Sequence, residues 1–259
     1  METSALDHLI EGAVKLMAEA SKILVFTGAG MSTESGIPDF RSPGGIWSKY
    51  DPSDFLYQRL ISDEGAREKY WKMSAEYYVT MKSAPPNPGH LAIKALEDTG
   101  KLLALVTQNI DNLHQRAGNS VEKIIEIHGT AFSVSCLNCG KHYDRDLIED
   151  RLRSGVKVPY CDDCSGILKP ATISFGQAMP QEKVQESLRL ARECDLCLVL
   201  GSSLVVYPAA SIPAHAVEHG AKLVIVNRDE TPLDRAADLV IHGTVGEVLP
   251  KILAGLRHL

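Results

Sequence analysis

Six short apolar runs set the strongest limit on how this chain can fold: Ile23–Phe26, Leu102–Val106, Ile124–Ile127, Leu196–Leu200, Leu223–Val226 and Leu239–Ile241. They are rich in Val, Leu and Ile and almost unbroken in apolarity. A strand with one wet face alternates; a strand covered on both faces does not. Helical spacing separates several of the runs, at Gly89–Glu97, Gln181–Glu193 and Ala209–Glu218. Residues 5–20 carry it too, through Leu6, Leu9, Ile10, Ala13, Val14, Met17 and Ala18, with Ser4 placed as the N-cap. Strand–helix alternation of this kind predicts an α/β fold with a doubly wound parallel sheet.

Two stretches break the alternation. Residues 43–88 are aromatic and polar, read as helical, and end at the breaker Pro85-Pro86-Asn87-Pro88. Residues 131–170 hold four cysteines and many charges. Both are read as insertions into a nucleotide-binding domain formed by 1–42, 89–130 and 171–259. A chain of 259 residues, 44% of them apolar, has enough material for one large core and a small second module. The net charge of −6 speaks against a general nucleic-acid binder. No apolar run reaches the roughly 18 residues of a membrane helix. The first residues lack a basic n-region and an apolar h-region, so the expectation is a cytoplasmic chain without membrane attachment.

Cysteines in such a setting favour metal or core roles over disulfides. Cys136-Leu-Asn-Cys139 and Cys161-Asp-Asp-Cys164 are two C-x-x-C pairs. Each pair presents two thiolates from one tight turn, and two such turns complete a tetrahedral site. Four thiolates leave no open coordination position, so the predicted zinc is structural and folds a segment too small to hold itself together. Cys194 and Cys197 form a third C-x-x-C at the start of an apolar run and are read as core residues.

The run Ile23–Phe26 leads into Thr27-Gly-Ala-Gly-Met-Ser-Thr-Glu-Ser-Gly-Ile-Pro-Asp-Phe-Arg-Ser42. Gly28 and Gly30 allow a tight turn and close approach to a ligand. Hydroxyls at Thr27, Ser32, Thr33 and Ser35 suit phosphate or sugar oxygens, or a helix cap. Phe40 supplies an apolar lid and Arg41 a fixed cation. The set points to a nucleotide diphosphate with a reactive group beside it. A dinucleotide fingerprint would place glycine where Thr33 stands, no P-loop lysine follows, and no G-x-S-x-G elbow occurs.

Other apolar runs end in the same manner. Leu102–Val106 leads to Thr107-Gln108-Asn109-Ile110-Asp111-Asn112-Leu113-His114, and Ile124–Ile127 to His128-Gly129. Gly201-Ser202-Ser203 and Asn227-Arg228-Asp229 end two more. Open α/β sheets bind ligands at the carboxyl ends of their strands, so these ends predict one shared cleft. Within it His128 is the candidate general base near neutral pH. For Asn112 and His114, helix capping with solvent exposure accounts for the residues as well as ligand contact does.

Taken together these motifs resemble the sirtuin family of NAD-dependent protein deacylases. The matching residues are Gly28-Ala29-Gly30, Ser32, Ser35, Asp39-Phe40-Arg41, Thr107 to His114, His128-Gly129, the cysteine quartet, Phe175-Gly176, the segment 201–210 and Asn227. They span about residues 22–249, and the compact form is most like bacterial and archaeal members. The resemblance implies a Rossmann-like domain with a smaller domain made of a helical insertion (43–88) and a zinc ribbon (131–170). NAD and acetyl-lysine protein or peptide substrates would meet between the two. The acyl oxygen would attack C1′ of the nicotinamide ribose, nicotinamide would leave as product and inhibitor, and deacetylated lysine and O-acetyl-ADP-ribose would form.

Residue roles follow by the same resemblance. His128 matches the base that activates the ribose hydroxyls, and Asn109 a residue that positions ribose and water. Ile110 and Asp111 match the nicotinamide pocket, and Gln108 a ribose contact. Gly28, Ala29, Gly30, Ser35, Asp39, Phe40, Arg41, Gly201, Ser202, Ser203 and Asn227 fall on other cofactor-binding positions. Ile173, Phe175, Gly176 and Val205 fall on the peptide-binding segments, where an added strand would be read loosely. Gln177 stands where the family often has glutamate, and Lys169 where it often has arginine. The Tyr-x-x-Arg pair of desuccinylating relatives is missing from 70–82, where Tyr77 and Tyr78 stand, so neutral acyl groups are expected, acetyl first. The alternative reading is an ADP-ribosyltransferase or NAD hydrolase using the same site.

Overall fold

The structure, a computed structural model, describes residues 5–256. Its strands are β1 (Ile23–Thr27), β2 (Leu102–Thr107), β3 (Ile124–Glu126), β4 (Gly129–Cys136), β5 (His142–Asp144), β6 (Leu168–Thr172), β7 (Leu196–Leu200), β8 (Lys222–Asn227) and β9 (Leu239–His242). Its helices are α1 (Ala5–Glu19), α2 (Tyr57–Ser62), α3 (Glu64–Ser83), α4 (Pro88–Asp98), α5 (Leu113–Arg116), α6 (Arg145–Arg153), α7 (Gln181–Glu193), α8 (Ser211–Glu218) and α9 (Val245–Leu256).

The six predicted strands form one sheet in the order β3-β2-β1-β7-β8-β9, and every pairing in it is parallel. The fold is therefore the expected Rossmann-like α/β arrangement, wound outward from β1 in both directions. Strand residues alternate between two cores. Ile23, Val25, Leu105, Leu198, Leu200, Val224 and Val226 pack with residues of α1, α4 and α9. Leu24, Phe26, Ala104, Val106, Cys197, Val199, Leu223 and Ile225 pack with residues of α7 and α8. Burial on both faces is why the runs show no alternation. Cys194 and Cys197 belong to the second core, as read.

Ser4 as N-cap of α1 lies outside the described residues. Helix α9 went unread, although Val245, Val248, Leu249, Ile252 and Leu253 keep helical spacing and are buried. Pro250 inside it is a breaker by rule, yet the helix continues.

A second sheet, β5-β4-β6, is antiparallel. Together with α6 and Trp71 of α3 it encloses a small core of Val134, Cys136, Tyr143, Ile148, Cys161 and Leu168. Strand β4 leaves the large sheet directly after His128, and β6 returns beside it, pairing Gly129 with Thr172. The Ile173 N–H donates to the His128 carbonyl at 2.8 Å. The small sheet thus begins and ends at the edge of the cleft.

Candidate active site

The sheet order reverses between β1 and β7, and the loops beyond these two strands pack on each other. Gly28 N–H donates to Leu200 O (3.1 Å), and Gly30 N–H to Gly201 O (2.8 Å). A Cβ on Gly28 would sit 2.8 Å from Gly201 O, and one on Gly30 would sit 2.9 Å from Gly201 Cα. Gly201 itself has φ +59°, and a Cβ there would meet Met31 N at 2.3 Å. The glycines expected to make room for a ligand also make room for one another. The result is a shallow backbone floor at the switch point, where such sheets bind ligands.

Side chains tie that floor together. Thr27 is level with Thr107 on β2, and its hydroxyl donates to Thr107 Oγ1 at 2.7 Å. The Thr27 hydroxyl also accepts from His114 Nε2 at 3.1 Å. His114 is 1% exposed, so neither capping with solvent exposure nor ligand contact describes it. Burial and the neighbouring His90 hold its pKa well below the ordinary histidine value. Gln108 Nε2 donates to Thr27 O (3.2 Å) and Ser202 Oγ (2.9 Å), joining the ends of β2 and β7.

Ser32 links two amide and acid groups of the β2 end. Its hydroxyl accepts from Asn109 Nδ2 at 3.1 Å and donates to Asp111 Oδ2 at 2.6 Å. Asp111 Oδ1 accepts the Leu113 N–H at 3.0 Å. Burial raises the Asp111 pKa, and these donors oppose the rise. Donors on both oxygens fix the orientation of this buried acid.

His128 occupies the end of the β3 segment. Its Nδ1 lies 3.2 Å from the Gln108 carbonyl oxygen. A carbonyl only accepts, so Nδ1 carries the proton and Nε2 holds the free lone pair. Burial lowers the His128 pKa, and the Gln108 bond opposes that. The imidazole is thus neutral at neutral pH, oriented by backbone, and equipped to take a proton at Nε2.

These groups line a cavity of about 440 Å³. Gly28, Ala29, Gly30, Asp39, Phe40, Arg41, Gln108, Asn109, Ile110, Asp111, His128, Gly201, Ser202, Ser203 and Asn227 all border it, as do Ile173, Phe175 and Gly176. Of the predicted cofactor and substrate residues, Ser35 and Val205 do not. Ser35 Oγ accepts from Asn87 Nδ2 at 3.1 Å, and Val205 is exposed while Val206 joins the wall. Asp39 spends its carboxylate on its own turn, accepting from Arg41 N, Ser42 N and Ser42 Oγ. Phe40 packs on Trp47 (centroids 5.4 Å), and Trp47 on Phe175 (5.9 Å), which closes an aromatic rim over the cavity.

Several wall residues were not singled out from sequence. Tyr70, Met73, Ser74 and Met81 of α3 line an apolar part of the cavity, beside Tyr77, which was named above. Asn87 caps α4, and its Nδ2 holds Met31 O at 2.8 Å, anchoring the loop after β1. The Pro-Asn-Pro breaker carried that capping signal.

The four cysteines meet as expected. Cys136, Cys139, Cys161 and Cys164 place their sulfurs within 4.8 Å of one another. Cys136 and Cys164 sulfurs are 3.5 Å apart, and Cys139 and Cys161 sulfurs 3.7 Å. A tetrahedron with Zn–S bonds near 2.3 Å has edges of about 3.8 Å. The donor set and spacing fit a structural zinc.

A family model described as Sir2 family matches residues 28–208. The chain is 43% identical over 249 residues to the NAD-dependent protein deacetylase of Rhodopseudomonas palustris, covering 96% of this chain and 98% of that one. It is 45% identical over 240 residues to NAD-dependent protein deacetylase 1 of Bradyrhizobium diazoefficiens, covering 93% of each. A solved Sir2 structure holding a deacetylated p53 peptide and 3′-O-acetyl-ADP-ribose superposes with a TM-score of 0.88 at 39% identity. That match covers 95% of this chain and 97% of the other.

Proposed function

The chain belongs to the Sir2 family, and on that premise we propose that it is an NAD-dependent protein-lysine deacetylase. It releases nicotinamide and O-acetyl-ADP-ribose. The observation that carries this reading is the free Nε2 of His128 in one cavity with the Asn109–Ser32–Asp111 chain and the glycine floor. Bound NAD supplies a ribose carbon that accepts the acyl oxygen as nicotinamide departs.

The chain's own residues divide the work. Gly28, Ala29, Gly30, Gly201, Ser202, Ser203 and Asn227 offer backbone, hydroxyl and amide groups to the nucleotide. Arg41 adds the charge for its phosphates, and Phe40 shields the ribose. Asp111 and Ile110 hold the carboxamide, and Asn109 and Gln108 the ribose. His128 takes a hydroxyl proton at Nε2. The substrate peptide lies along Ile173–Gly176 and the segment 204–206. The charged residues lining the cavity, Arg41, Arg228, Asp39, Asp111 and Asp229, do not include α3, whose wall is Tyr70, Met73, Ser74, Tyr77 and Met81. An uncharged wall favours neutral acyl groups, acetyl first.

The same proposal keeps the division into a nucleotide-binding domain (1–42, 89–130, 171–259), a helical insertion (43–88) and a zinc module (131–170). It also places the protein in the cytoplasm, because free buried thiols and a thiolate metal site suit a reducing compartment. No helix among the described residues is long and apolar enough to cross a membrane.

Acyl-peptide turnover with mass detection of the nucleotide tests the reading. Nicotinamide release should depend on an acetylated peptide, and His128→Ala should lower turnover at least 100-fold while zinc content and fold persist. Release of equal rate without peptide would favour the NAD hydrolase or transferase alternative. A succinylated peptide turned over faster than its acetylated counterpart would overturn the acyl preference.

A further inference from the structure

Tyr143 stands in the middle of β5, 8% exposed, against the second cysteine turn. Its hydroxyl lies 3.1 Å from Cys161 Sγ and accepts the Asp162 N–H at 3.0 Å. Two cations lie against the ring: Lys141 Nζ is 5.2 Å from its centroid and the Arg151 guanidinium 5.6 Å. Both cations also grip the turn itself. Lys141 pairs with Asp163 at 2.6 Å, and Arg151 takes both oxygens of Asp162, at 2.9 and 2.7 Å. Cys161-Asp-Asp-Cys164 is therefore fastened to the tyrosine through both of its acids and one of its sulfurs.

From this geometry we infer that Tyr143 is a retention residue of the zinc site, donating its phenolic proton to the metal-bound Cys161 thiolate. The direction of the bond follows from bookkeeping of protons. A metal-bound thiolate has no proton to give, and the phenol oxygen already accepts from Asp162 N–H. The O–H must point to sulfur. Four thiolates around one divalent ion carry a net charge of −2, and a donor to one of them spreads that charge and disfavours its departure from the metal. Cys136 receives a comparable donor, the Asn138 N–H at 3.4 Å. Cys136 and Cys161 are the two buried cysteines of the quartet, while Cys139 and Cys164 are exposed.

The inference rests on zinc occupying the four-cysteine site, so metal content is measured first, on the full chain. About one zinc per wild-type chain is expected, and a wild type that binds none overturns the zinc reading and this one together. The test is the rate of zinc transfer to a chromophoric chelator. Tyr143→Phe should speed transfer roughly tenfold. Tyr160→Phe, which removes an exposed hydroxyl from the same module, should leave the rate unchanged. If Tyr143→Phe does not fold, Arg151→Ala is the substitute: it keeps the hydroxyl but frees the ring and releases Asp162, and should speed transfer by a smaller factor. Wild-type transfer rates in the Tyr143 variant, equal acceleration by Tyr143→Phe and Tyr160→Phe, or an unchanged rate in Arg151→Ala where it stands in, would overturn the assignment.

Discussion

The Ser32 hydroxyl donates to the Asp111 carboxylate at 2.6 Å, joining the loop after β1 to the end of β2 across 79 residues of chain. The same hydroxyl accepts from Asn109. Ser32 is 1% exposed and Asp111 4%, so no bulk water can replace the bond. Ser32→Ala should leave a buried carboxylate oxygen and an amide short of a partner, at a cost of about 1–3 kcal/mol. Deacetylase kcat/KM should fall at least tenfold, with a rise in KM for NAD. Unchanged kinetics and an unchanged melting temperature would contradict the link.

The glycine junction predicts a steep contrast. Gly201→Ala forces a Cβ to 2.3 Å from Met31 N and keeps a left-handed backbone at φ +59°. Nearby Gly176 also has a positive φ, +80°, but nothing lies within 4 Å of its Cβ position. The first substitution should cost upward of about 3 kcal/mol and lower Tm by roughly 6–12 °C. The second should cost about 1 kcal/mol, the strain of φ alone. Calorimetry of the two variants side by side decides it; equal losses would mean that the loop packing relaxes.

Those two loops also mark what the sequence could and could not convey. The strands of the large sheet were legible because burial on both faces writes an unbroken apolar run. Their polar ends were legible because ligand sites collect there. The function of each polar group was less so. Ser32, Ser35 and Asp39 look alike as ligand donors in sequence, yet all three make hydrogen bonds inside the protein. His114 was ambiguous because its partner Thr27 is 87 residues away. Strands β4 to β6 left no clear pattern. Half-buried positions dominate β4, and the module's core is small enough to need its cysteines.

Two buried histidines beneath the cleft set an acid limit on stability. The His90 and His114 rings lie tilted at 54° to each other with centroids 4.9 Å apart. Burial lowers the pKa of His90 to about 4, and that of His114 falls well below the ordinary value. In the unfolded chain both titrate near 6.5. Below that pH the unfolded state binds more protons, so the stability that is full above about 6.5 is lost as pH falls towards the folded values. For His90 this removes about 2 kcal/mol between pH 6.5 and 5, and His114 acts in the same direction. Asp111 and Glu126, whose pKa values burial raises, act in the opposite sense. The comparison is therefore made as a difference. Urea unfolding of wild type and His90→Gln from pH 7.5 to 5 should show a shallower fall in the variant, and parallel curves would refute the neutral His90.

Removing zinc should silence the enzyme without unfolding its large sheet. The small core around Val134, Tyr143, Ile148 and Leu168 includes two of the four cysteines, so the metal closes the module from within. Strand β4 starts at Gly129, whose Cβ position lies 2.0 Å from Ala171 O, so β4 and β6 meet tightly beside His128. Loss of the β4–β6 pairing would release the Ile173 N–H from the His128 carbonyl and unfasten the proposed peptide-binding segment. The large sheet depends on neither, since its cores draw on α1, α4, α7, α8 and α9. Chelation should therefore abolish deacetylation and raise hydrogen exchange across 129–172, while amides of β1, β2, β7 and β8 keep their protection. Protein stripped of zinc that still retained most of its turnover would show that the module is held by its core alone.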